Sequence, residues 1–235
     1  KLARAYGAAV DYCQHGIDLL GCDRWEGSSD LTLNLYNTAA EAACLHSDYV
    51  SMNRWIAEIL EHVPDLLAQI PAYEVKIQAE IAQNQLQEAV QTGLGVLENL
   101  GIRLPARPTA ADIEQGFAAT AAQMADKQPD DLLALAEMTT ADKLAALRML
   151  AGIWGAAFAI APALMPLIVL EMVNLSILYG NAPISAFAYV LYGVLLCGAE
   201  SFQQGYEFGE VALKLLARFN TQTFTAKILF LIGTH

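Results

Sequence analysis

Two cysteine–histidine pairs, Cys13-Gln14-His15 and Cys44-Leu45-His46, are the first residues of this 235-residue chain with types suited to chemistry. With Cys22 nearby they supply thiol and imidazole, the ligands zinc prefers. On a helix, residues two apart point about 200° apart, so neither pair can chelate from helical backbone. Cys13 and Cys44 also fall on apolar faces, where a free thiol behaves as a small hydrophobe. Glu58 and His62 share a helix face, but a di-metal carboxylate site needs Glu-x-x-His on two helices, and the sequence has none. A surface ion pair is expected there instead. Gly93-Leu94-Gly95 lies inside a helical pattern rather than after a strand, which argues against a dinucleotide loop. Phosphate-loop and nucleophile-elbow patterns are absent, and His15, His46, His62 and His235 form no cluster. The expectation is a segment without catalytic residues, metal or cofactor.

Bulk composition narrows the partner class. Hydrophobic residues make up 55% of the chain and charged residues 16%, too apolar for disorder. The net charge of -12 is uneven: residues 1–148 hold 10 Lys+Arg against 21 Asp+Glu, and residues 149–235 hold 3 against 4. An acidic first half argues against nucleic acid and anionic membrane surfaces, which need clustered cations. Four cysteines at 13, 22, 44 and 197, without a dense framework, read as a reduced intracellular set and a cytoplasmic chain. The sequence opens at Lys1 and closes inside an apolar run, so the expectation is a segment of a longer polypeptide.

The elements that must position any site are helices, since periodicity near 3.6 dominates and strand-like alternation is nearly absent. The pattern predicts helices over about 1–21, with Leu2, Ala5, Cys13 and Ile17 on one face, then a loop at 23–29. Further helices are predicted over about 31–46, 49–63, 71–83 and 86–100, with Ser29 or Asp30 as a cap, Pro64 as a stop and Gly101 as a C-terminal cap. Residues 101–108 read as a proline-bearing linker, and Thr109 caps the next helix with Asp112 in its first turn. Helices follow at about 131–137, 141–161, 164–180, 184–198, 203–219 and 222–233. Residues 149–170 and 172–199 carry no charge, enough for membrane spans by length alone. Pro162, Pro166 and the Gly180-Asn181-Ala182-Pro183 break point instead to a buried helical core.

A repeat organises these helices. Tyr36, Tyr73 and Tyr189 each precede a turn hydrophobe by thirteen residues (Tyr49, Leu86, Phe202) and a leucine by twenty-four (Leu60, Leu97, Leu213). Such a period marks two-helix units stacked in a solenoid. The aromatic fills the gap to the next hairpin, a small residue four later (Ala40, Gly193) allows close approach, and the turn hydrophobe plugs the hairpin end. This pattern resembles the tetratricopeptide repeat, with departures: the period is nearer 37 than 34, Ile77 replaces the small residue, and Gly209 replaces a bulky contact. The resemblance implies an all-α, irregular α-α superhelix over 1–235, with possible sub-units 1–101 and 109–235. The first helices of such hairpins line a groove, placing Asn34, Asn37 and Glu41, and then Glu74 and Gln78, as candidate partner-binding residues.

The stretches 73–105 and 173–193 resemble the helical region of the large multi-sensor signalling kinases of cyanobacteria, which join a Ser/Thr kinase, an AAA-type ATPase, helical repeats, a GAF sensor and often a histidine kinase. That resemblance implies a protein-binding scaffold segment relaying state between ATPase and sensor domains, with no catalytic residue of its own. Two alternatives remain open at this stage: a membrane-associated protein anchored through 149–199, and a helical small-molecule-binding sensor.

Overall fold

The computed structural model describes residues 6–27, 29–220 and 224–234. Among the described residues the regular structure is helical, apart from an isolated bridge between Glu137 and Asn181. The chain divides into two compact units, Lys1–Gly93 and Leu94–His235.

The first unit holds α1 (Tyr6–Leu19), α2 (Arg24–Gly27), α3 (Ser29–His46), α4 (Tyr49–His62) and α5 (Leu66–Ala82), and α6 (Leu86–Asn99) crosses the division. Leu2 and Ala5, expected on the first helix, lie outside the described residues. Helix α3 is the hub and packs against α1, α2, α4 and α5. Its inward face, Tyr36, Ala39, Ala40 and Ala43, is mostly alanine, and each of these side chains is buried. Small side chains let the neighbouring helices approach, and Ile17, Met52, Trp55, Ile56 and Val75 fill the space between them. Asp48 starts α4 by accepting from the Ser51 N–H at 3.1 Å.

Two boundaries depart from the pattern. The 23–29 loop contains α2, held in place because Arg24 donates to the Tyr36 hydroxyl at 3.1 Å and accepts from Thr32 at 2.6 Å. Helix α5 begins at Leu66, five residues early, and runs through Pro71. Asp65 caps it by accepting from Leu67 N–H at 3.2 Å, and Gln69 ties back to the Val63 carbonyl at 2.6 Å. A local cap and a side-chain tether thus override the proline as a start signal.

The second unit holds α7 (Ala110–Met124), α8 (Pro129–Ala134), α9 (Ala141–Ile160), α10 (Met165–Tyr179), α11 (Ser185–Gly198), α12 (Phe202–Phe219) and α13 (Thr225–Thr234). Thr109 and Asp112 form the expected capping box, with Asp112 accepting from Thr109 N–H at 2.7 Å. Helix α10 packs on α7, α9 and α11, while α11 packs on α12 and α13. A helix that is apolar all round has no face to offer water. Accordingly, every residue from 185 to 193 on α11 is buried. By length and composition α9 alone, among the described helices, could cross a membrane, and half of its apolar window is buried here. Helices α10 and α11, at 15 and 14 residues, fall short of the ~20 a span needs.

The Gly180-Asn181 break is pinned from all sides. Asn181 N–H donates to the Ala136 carbonyl and Met138 N–H to the Asn181 carbonyl, each at 2.8 Å. The Asn181 side chain donates to the Leu132 carbonyl at 2.6 Å and accepts from the buried Tyr189 hydroxyl at 3.2 Å. Ser185 and Ser176 share a hydroxyl contact at 2.8 Å, and Ser185 also accepts from Ala182 N–H. Gly180 sits at φ +101°, and a Cβ added there would run into the Ala136 carbonyl. Gly180→Ala therefore meets both a disfavoured backbone region and a backbone clash, and should cost about 2–4 kcal/mol. Gly152 on α9 is exposed with open space around it, so Gly152→Ala should instead stabilise by about 0.5–1 kcal/mol. Denaturant midpoints of the two variants against the parent check the opposite signs.

Candidate functional site

The cysteine–histidine pairs are separated by their own helices. Cys13 is buried, and burial pushes its thiol up; burial and then the Glu41 charge push up the Cys44 thiol. Both thiols are thereby held away from the thiolate that metal binding or nucleophilic attack requires. His15 donates to the Asp11 carbonyl at 2.7 Å. Glu58 and His62 lie 4.0 Å apart, and the His62 ring stacks on Trp25 at 5.2 Å. Among the described residues no group of three or more His, Cys, Asp and Glu side chains is placed to hold a metal ion. His235 lies outside the described residues.

The five polar residues expected to line a groove fall on two helices in contact. Asn34, Asn37 and Glu41 follow one another at helical spacing on α3, and Glu74 and Gln78 do so on α5. Asn34 and Gln78 are exposed, whereas Asn37, Glu41 and Glu74 are half-buried. The Asn37 carbonyl oxygen is buried without a hydrogen-bond partner.

Farther along α5, Glu80 is buried, accepts from the Thr92 hydroxyl of α6 at 3.2 Å, and lies 3.9 Å from Lys76. Its second oxygen is buried without a partner. Burial raises the Glu80 carboxyl above its ordinary range, against the lowering pull of Thr92 and Lys76; the Glu88 charge adds to the rise. The native state therefore keeps this proton to higher pH than the unfolded chain does. Stability should fall as pH rises from the ordinary carboxylate range through the raised folded value. Glu80→Gln should melt above the parent at neutral pH and level with it in acid, checked by thermal melts across that range.

A third arrangement, missed in the sequence, lies between α11, α12 and α13. Gly193 and Gly205 bring α11 and α12 into backbone contact: a Cβ on Gly193 would stand 2.7 Å from the Gly205 carbonyl oxygen. One turn along α12, a Cβ on Gly209 would meet only Ile232, at 3.9 Å. The missing side chain leaves a cavity of about 110 Å³ bordered by Val190, Val194, Phe202, Tyr206, Glu210 and Ile232. Phe202 was expected to plug the hairpin end as a turn hydrophobe; instead it is 65% exposed, as is Tyr206 one turn later. The turn itself is closed by backbone bonds, Glu200 N–H to Cys197 and Ser201 N–H to Leu196, so no plug is required. Gly209 in place of a bulky contact was the sequence signal for this cavity. Comparison with protein-family models, curated proteins and solved structures finds no match.

Proposed function

We propose that this chain is a non-catalytic protein-binding segment built as an irregular, tetratricopeptide-like solenoid. The observation that carries the reading is the pair Phe202 and Tyr206, large rings held in water beside an apolar cavity. Exposed aromatics around a recess are the composition of interface anchors, not of an ordinary solvated helix face. The packing order supports the solenoid part. Within the first unit α3 touches α4 and both α1 and α5, and within the second α11 touches α12 and α13. Contact with the next helix and the next but one is how stacked hairpins bury their faces. The contacts of α10 with α7 and of α12 with α8 interrupt that order and make the solenoid irregular.

The polar residues of α3 and α5 (Asn34, Asn37, Glu41, Glu74 and Gln78) are, in this reading, a second candidate face of polar character. In this reading the chain is cytoplasmic and takes protein partners, and it serves as the scaffold between ATPase and sensor domains of a multi-sensor signalling kinase. Pull-down of the 235-residue chain against isolated AAA-type ATPase and GAF domains of such kinases tests it. Retention at mild salt is expected, with a drop of at least about tenfold in affinity for the Phe202→Ser/Tyr206→Ser double variant, in line with the loss of two aromatic anchors. Failure of both domains to be retained would remove the scaffold reading.

A further inference from the structure

We infer that the groove between α11, α12 and α13 takes the side chain of a lysine presented by a partner polypeptide. The inference rests on the reading of the chain as a protein-binding segment and names what that segment recognises. Three features converge. Phe202, Tyr206 and Glu210 follow at i, i+4 and i+8 on α12, so two rings and one carboxylate share a face. The opposing walls, Val190, Val194 and Ile232, are aliphatic. The cavity of about 110 Å³ has room for about four groups of water's size, matching the four methylenes of a lysyl stem.

Charge selects among the side chains that could enter. Glu210 is half-buried in the wall, and among the described residues no cation lies within ion-pair distance of its carboxylate. Lys214, one turn on, is turned to Asp130 at 3.5 Å, and Arg218 donates to the Leu133 and Leu135 carbonyls at 2.7 and 2.9 Å. Lys227 of α13 lies toward Phe187 and Phe224. An aliphatic guest would strip water from Glu210 and return no partner, which is costly for a charge. An anion would be repelled. Lysine fits: its apolar stem can lie along the aromatic and aliphatic walls while its compact ammonium meets the Glu210 carboxylate.

The test titrates the full chain with N-acetyl-lysine methylamide and with its uncharged counterpart, N-acetyl-norleucine methylamide, following backbone amides of α11–α13 by heteronuclear NMR. Saturable shifts at Gly193, Gly205, Gly209 and Ile232 are expected for the lysine amide, with the norleucine amide at least about tenfold weaker. Glu210→Gln, which keeps the shape, should erase that preference. Gly209→Leu fills the space left open beside Ile232, and should abolish binding of both amides while leaving the helical spectrum intact. Equal binding of the two amides, undiminished binding in Gly209→Leu, or no saturable shift would each overturn the lysine site. Retention of an ATPase or GAF domain with unmoved groove amides defeats the lysine site and spares the scaffold. Lysine discrimination with neither domain retained does the reverse.

Discussion

Helix α11 has no polar side to give to water, and the second unit is arranged around that constraint. From 185 to 193 every side chain is covered, including Phe187 and Tyr189, and burial of an aromatic or large aliphatic side chain contributes about 1.5–3 kcal/mol. Covering a helix on all sides needs neighbours on all sides, which is why α10, α12 and α13 all contact it. The approach of α12 is closest because Gly193 and Gly205 remove the side chains that would hold the backbones apart. One turn on, at Gly209, nothing of α11 stands that close, and an added Cβ would meet only Ile232 of α13. The cavity lies there, in the interval that the side chain missing at Gly209 leaves open.

Burying α11 also buries polar groups, and these must be satisfied within the protein. The Asn181 node does this at the α10–α11 turn. Its backbone pairs with 136–138, its amide caps the Leu132 carbonyl, and its side-chain oxygen takes the Tyr189 hydroxyl. Burial pushes the Tyr189 phenol far above its ordinary range, so it stays a neutral donor in this contact. A segment 43 to 49 residues upstream is thereby fastened to the central hairpin, and Arg218 of α12 fastens the end of α8 from the other direction. In the first unit the close packing is instead made by the alanine face of α3. Small residues there serve packing, and the polar side chains Asn34, Asn37 and Glu41 are left beside it.

These two packing solutions separate structural groups from groups available to a partner. Cys13, Cys44 and His62 are absorbed by burial and stacking. Glu80 is a buried carboxylate held by Thr92 and Lys76. What stands outside these arrangements is a pair of aromatic rings on α12, Phe202 and Tyr206, and Glu210, which among the described residues has no cation within ion-pair distance.

The helical class and most of its boundaries were legible from periodicity and caps, because local hydrogen bonding decides where a helix starts. Thr109 with Asp112, Gly101 at φ +84°, and the Gly180 stop all act within a few residues of themselves. The uncharged runs likewise announced buried helices, since an apolar helix cannot keep a wet face. The start of α5 and the existence of α2 were not legible, because each depends on side chains reaching across from another turn or helix. The role of Phe202 was read wrongly for the same reason: its exposure is set by how α12 meets α11 and α13. The groove needed the tertiary structure most. A glycine at 209 records only a missing side chain, and whether that absence becomes a void or is closed over depends on how rigidly the surrounding backbones are held apart.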